Sequence, residues 1–208
     1  MTLQARMCGV ILAAGFSSRM GRDKALLPWP PAVAGSDALG ETMLSAAIAA
    51  LKPFTSAVIV VAGRNAEQLS PIVRAHGAAL VVNAAPERGQ FSSLQEGLRA
   101  ALEHDADAAM ITIVDCPPLS ARSLELLCAA FERARAGGQW GVIPERNGKR
   151  GHPLIAGRAL MDAFLAAPVT RNARAVRQAH AERMQTVAVP DLLLGVDVNT
   201  PEEYGALG

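Results

Sequence analysis

The stretch Cys8-Gly9-Val10-Ile11-Leu12-Ala13-Ala14-Gly15-Phe16-Ser17-Ser18-Arg19-Met20-Gly21-Arg22-Asp23-Lys24 changes character partway along. Its first six residues are an apolar run, short and partly β-branched, which predicts a strand covered on both faces. From Leu12 to Lys24 the side chains shrink and two glycines enter. A strand that opens into such a loop can present backbone N–H groups to an anion. On this reading Leu12, Ala13, Ala14 and Gly15 lead out of the strand, and Gly15 and Gly21 permit a tight backbone. Ser17 and Ser18 add donors, while Arg19 and Lys24 neutralise a polyphosphate, one as a fork and one as a compact charge. The loop matches neither GxxxxGK[ST] nor GxGxxG.

Outward from this strand, the chain alternates short apolar runs with longer amphipathic ones. Ala57–Val61, Ala79–Val82 and Ala109–Val114 predict further strands. Thr42–Leu51, Ala66–Ala75, Ser92–Leu102 and Ser120–Arg135 predict helices, the second split or shortened by Pro71. Strand and helix in alternation imply an α/β fold with a doubly wound, mostly parallel, Rossmann-like sheet. After Gly137-Gly138 the pattern changes. Trp140–Pro144 and Pro153–Ile155 flank Glu145–Arg150, whose Asn147-Gly148 is a hairpin signal, so a small antiparallel element is expected. Met184–Val189 reads as a late strand and Gly195–Val198 as a short final one. Pro28–Gly40, rich in Pro, Ala and Gly, reads as a surface loop.

Bulk composition narrows the function classes. Half of the 208 residues are hydrophobic, enough for a sizeable core. Twenty Lys and Arg against 19 Asp and Glu leave a net charge of +1, so no nucleic-acid partner is expected. Cys8, Cys116 and Cys128 are odd in number and widely spaced, which argues against a disulfide framework or structural zinc. The N-terminal apolar run is far shorter than the ~20 residues of a membrane span. The expected setting is the cytoplasm, with no membrane contact.

Two carboxylates stand where ligands of open α/β sheets bind, beyond the carboxyl ends of strands. Asp115 follows the Ala109–Val114 run, and Asp197 lies within Gly195–Val198. Hard oxygen donors that converge on a phosphate suit Mg²⁺. For Asp115 the alternative is a turn cap before Pro117-Pro118, and Asn199–Glu203 itself has the pattern of a helix start. Gln90, Ser92 and Ser93, in Gly89-Gln90-Phe91-Ser92-Ser93-Leu94, could contact ribose or base from a helix N-terminus, or the serines could cap that helix.

The loop Leu12–Lys24 resembles the signature of the MobA-like nucleotidyltransferases, LAAGxSxRMGxxK, most closely that of the molybdenum cofactor cytidylyltransferases. Gly89–Leu94, Asp115-Cys116-Pro117-Pro118-Leu119, Gly151-His152-Pro153 and Asp197-Val198-Asn199-Thr200-Pro201 extend the resemblance over almost the whole chain. It implies a nucleotide-diphospho-sugar-transferase type of sheet. It also implies one domain over 1–208, with a nucleotide-binding part at about 1–120 and an acceptor-binding part at about 121–208. Arg19, Lys24 and Asp115 become the catalytic groups, and Asp115 and Asp197 the magnesium ligands. His152, Arg150 and Arg174 would border the acceptor. Arg146, Lys149 and Arg150 could equally form a solvated turn. The family's GDxGAR pattern is here Val169-Thr170-Arg171-Asn172-Ala173-Arg174, a departure on the acceptor side.

Guanylyl-transferring relatives typically carry LAGG where this chain has Leu12-Ala13-Ala14-Gly15. A methyl at Ala14 would narrow the base pocket, an effect of about 1–3 kcal/mol, and so favours CTP among the nucleoside triphosphates. The implied reaction is attack by the phosphate of molybdopterin on the α-phosphorus of CTP, with loss of pyrophosphate and delivery of the product to a molybdenum enzyme. Transfer to a sugar phosphate or another small phosphate is a rival reading. So is a non-catalytic protein that binds and delivers the molybdenum cofactor.

Overall fold

The computed structural model describes residues 5–15, 20–31 and 41–207. Ser17, Ser18, Arg19 and most of the Pro28–Gly40 stretch lie outside these residues. The described chain builds one eight-stranded sheet: β1 (Met7–Leu12), β2 (Ala57–Ala62), β3 (Ala79–Val82), β4 (Ala108–Ile113), β5 (Gly141–Arg146), β6 (Lys149–Arg150), β7 (Leu154–Gly157) and β8 (Met184–Ala188). The order is β3-β2-β1-β4-β7-β5-β6, with β8 paired to β5. β1, β2, β3 and β4 pair in parallel, whereas β7 runs antiparallel to both β4 and β5. β5 and β6 form the hairpin expected at Asn147-Gly148, both of whose φ angles are positive (51° and 76°), as its tight turn requires.

Helices cover both faces: α1 (Met43–Leu51), α2 (Ala66–Ala75) and α4 (Ala121–Ala136) on one, α3 (Gln90–Glu103), α5 (Arg158–Ala166) and α6 (Ala173–Ala179) on the other. β1 shows why its run is uniformly apolar. Met7 and Ile11 face the first layer, while Cys8, Val10 and Leu12 face the second. A last helix, α7 (Pro201–Gly205), starts at Thr200, whose side chain and that of Glu203 form a reciprocal capping box.

Two sequence expectations need correction. α2 is neither split nor shortened by Pro71. Pro71 is exposed, and the fully buried Leu69 and Val73 hold the helix to the core, which offsets the lost backbone bond. Gly195–Val198 forms no strand. It lies over the end of β4, where the Val198 N–H donates to the Asp115 carbonyl at 2.9 Å. An apolar Val-Asp-Val pattern alone does not distinguish those two placements. Among the described residues, no helix is long and apolar enough to cross a membrane.

α3 comes close to the sheet at Gly97. A Cβ there would meet Val10 Cγ1 at 2.5 Å and Val61 Cγ2 at 2.8 Å. Both are stiff β-branched side chains fully buried in the sheet. Alanine is intrinsically better in a helix by about 1 kcal/mol, but overpacking costs about 1–3 kcal/mol. Gly97→Ala is therefore expected to lower the melting temperature by several degrees, and an unchanged or raised value would show that α3 has room to move off the sheet.

Candidate functional site

The loop after β1 is fastened at both feet by one side chain. Asn65 Nδ2 donates to the Ala13 carbonyl at 2.9 Å and to Asp23 Oδ2 at 2.6 Å, and Asn65 Oδ1 accepts from the Gly63 N–H at 3.0 Å. Asp23 Oδ1 in turn caps the short 3₁₀ turn Lys24–Leu26 by accepting from the Ala25 N–H. The chain thus leaves the sheet at Ala13 and returns at Asp23 with a fixed span. Gly21, at φ 70°, supplies the left-handed backbone that the return needs. The Ala13 N–H is already used, donating to the Val61 carbonyl at 2.8 Å, so this amide does not face an anion.

That span delivers Lys24 to the carboxyl edge of β4. Its side chain is 8% exposed, and Nζ donates to Asp115 Oδ2 at 2.7 Å and to Asn199 Oδ1 at 3.1 Å. The Thr200 capping box holds Asn199 in place, because Glu203 Oε2 also accepts from the Asn199 N–H at 2.7 Å. The second carboxylate, Asp197, accepts from the Cys116 thiol at 3.1 Å. Burial, then Asp197 and Asp115, push the Cys116 pKa far up, so the thiol stays protonated and is no nucleophile.

A cleft of about 760 Å³ opens beside this edge. Leu12, Ile111 and Ile113 form its apolar floor, Gly89 and Gln90 one side, and His152 and Asp197 the end near the carboxylates. His152 Nδ1 lies 3.3 Å from the Ile111 carbonyl, and burial lowers the imidazole pKa, so the neutral ring is favoured. The far wall is basic: Arg150 from the hairpin, with Arg174 and Arg177 from α6.

Apart from Ser17, Ser18 and Arg19, which lie outside the described residues, the expected site residues can now be placed. Leu12, Gln90, His152, Asp197, Arg150 and Arg174 share the cleft wall, and Lys24 and Asp115 are joined at its edge. Ser92 and Ser93 require correction. They are 5% and 3% exposed, and Asn83 Nδ2 donates to both hydroxyls, at 2.8 and 3.0 Å. Ser92 Oγ also donates to the Gly89 carbonyl, so neither serine caps α3 or lines the cleft. They lie on the buried face of α3, which begins at Gln90, two residues earlier than the sequence reading. Ala14 is 9% exposed and lies against Gly63, where an added Cβ would meet its methyl at 3.3 Å. Sequence reasoning missed Asn65, Asn199 and Arg177. Asn199 lay in a quoted segment but read only as the approach to a helix, and nothing local marks Asn65 as a clamp.

The two carboxylates are a donor set suited to a hard divalent cation. Asp115 and Asp197 offer hard carboxylate oxygens, and the adjacent Cys116 thiol donates to Asp197. Among the described residues, no group of three His, Cys, Asp or Glu side chains could cage an ion. Magnesium, which keeps water and phosphate oxygens among its six ligands, suits two carboxylates; zinc does not.

The MobA-like NTP transferase domain matches residues 9–184. Among curated proteins, the chain is 30% identical over 209 residues to a molybdenum cofactor guanylyltransferase of Xanthomonas euvesicatoria, covering 100% of this chain and 97% of the relative. It is 24% identical over 197 residues to the molybdenum cofactor cytidylyltransferase of Escherichia coli, covering 94% and 92%. Among solved structures, a homologue of Mycobacterium tuberculosis Rv0371c from Mycobacterium sp. strain JC1 superposes with a TM-score of 0.75 at 26% identity, over 99% of this chain and 96% of that one. The fold and these matches agree, and the chain belongs to the MobA-like NTP transferase family of nucleotidyltransferases.

Proposed function

We propose that the chain transfers CMP from CTP to the phosphate of molybdopterin and releases pyrophosphate. The observation that carries the reading is the tie of Lys24 to Asp115 and Asn199 beside a cleft that also holds Asp197. It gathers a cation and two carboxylates at one sheet edge. An oxygen of the acceptor phosphate attacks the α-phosphorus, the bond from α-phosphorus to the bridging oxygen breaks, and pyrophosphate departs with that electron pair. The acceptor phosphate is ionised near neutral pH, so no protein nucleophile or strong base is needed. Lys24, with Arg19, neutralises the triphosphate, while Ala14, Gly15 and Gly21 shape the loop around it and Gln90 borders the nucleoside. His152, Arg150 and Arg174 orient the acceptor. Asp115 and Asp197 would hold Mg²⁺, which supplies charge neutralisation of the phosphates when bound. The product then passes to a molybdenum enzyme.

A second donor, GTP, is favoured by two observations. The Ala14 methyl rests on Gly63 and is not among the cleft-lining groups. The relative of greater identity described above is a guanylyltransferase. The likeness of the loop's signature to that of the cytidylyltransferases favours CTP, and binding decides between them.

With Mg²⁺ present, CTP is expected to raise the melting temperature more than GTP, UTP or ATP. A ligand at 100 times its Kd stabilises by about 2.7 kcal/mol, which corresponds to several degrees. A larger shift with GTP would transfer the donor assignment to guanine. Pyrophosphate release on mixing the favoured nucleotide with Mg²⁺ and molybdopterin is expected, and binding without release would favour a delivery protein.

Asp115→Asn keeps an oxygen for Lys24 but removes the charge. It is expected to slow transfer by about 10²–10³-fold with the melting temperature within a few degrees of wild type. Wild-type turnover would remove Asp115 from the reaction centre.

A further inference from the structure

A second cavity, of about 460 Å³, lies directly behind the basic wall of the cleft. The two share Ile143, Arg150, Arg174 and Arg177, so the arginines stand between them. We propose that this second cavity is an anion subsite that holds an anionic group of the acceptor remote from the phosphate that reacts. The assignment rests on the transfer reading above and deepens it: the acceptor class is one with two separated anionic groups.

Three observations support it. Arg174 and Arg177 are three apart on α6 and so share one face, with Arg150 facing them from the hairpin. Arg150 meets the Glu145 carboxylate at 3.5 Å, but among the described residues neither Arg174 nor Arg177 makes an ion pair. Arg177 is half-buried, and burial followed by its two arginine neighbours lowers its pKa. Like charges brought together and partly stripped of water are unfavourable unless an anion compensates them.

The cavity also suits more than a bare ion. Ile143, Ala181 and Met184 give it apolar surface, and Gln178 and Thr186 add neutral hydrogen-bonding groups. Guanidinium forks can grip an anionic oxygen pair and lie flat against a planar group. An acceptor can thus place its reacting phosphate near Asp197 and His152 and extend past the arginines into the second space.

The test uses the full chain and inorganic phosphate as the probe, with melting temperatures compared in phosphate and in chloride at equal ionic strength. Arg177→Gln relieves repulsion, so in chloride it is expected to melt at or above the wild-type temperature. The phosphate-specific increment of the wild type is expected to fall at least threefold in Arg177→Gln and in the more exposed Arg174→Gln. A shared loss in both variants, repeated in Thr186→Val, which alters the second cavity alone, identifies the subsite, whereas a loss confined to the arginine variants would place the anion in the cleft instead. Equal increments in the wild type and both arginine variants, or a lower melting temperature of Arg177→Gln in chloride, would overturn it. The readout needs no nucleotide, so it stands whether or not the transfer reading holds.

Discussion

The buried amine of Lys24 is the contact around which the site is organised. It joins three segments far apart in sequence: the return of the first loop, the end of β4, and the approach to α7. An ammonium 8% exposed is costly to desolvate unless it is paired, and the partly exposed Asp115 carboxylate with the Asn199 amide oxygen provides that compensation. The requirement propagates outward. Asn65 must hold the feet of the loop so that Lys24 arrives at the edge, and the Thr200 capping box must hold Asn199 to meet it. Backbone clamps and helix caps, which act locally, therefore determine where the charged groups of the site converge.

Charge is divided along the cleft. Carboxylates and Lys24 occupy the end near β4, and guanidinium groups occupy the wall built by the hairpin and α6. Between them lies an apolar floor of strand side chains, which lowers the local dielectric and strengthens both ends. The division suits a reaction between two phosphate-bearing partners that would otherwise repel each other. It also explains a net charge of only +1 in a chain that handles polyanions, because the positive groups are gathered where they act.

Much of this was legible in the sequence because it rests on local rules. Apolar runs marked the parallel strands, Asn147-Gly148 marked the hairpin, and a carboxylate directly after a strand marked Asp115. The misreadings occurred where tertiary contacts overruled a local pattern. Pro71 was expected to break α2, but buried Leu69 and Val73 hold the helix across it. Val196-Asp197-Val198 had strand-like residues but lies over the sheet edge instead of beside a strand. Ser92 and Ser93 read as ligand donors or helix caps, but both lie on the buried face of α3, bonded by Asn83. Asn65 clamps the loop through Ala13 and Asp23, and Arg177 stands beside Arg150 of the hairpin, pairings far apart in sequence that no spacing rule connects.

The most direct test of the central claim is a calorimetric titration of the Mg²⁺ nucleotide into Lys24→Met. A charged hydrogen bond contributes about 1.5–3 kcal/mol, so the variant is expected to bind roughly 10–150-fold more weakly while remaining folded, since the Asp115 left behind is open to water. Affinity equal to that of the wild type would show that the buried amine is a structural strut and takes no part in gripping the triphosphate.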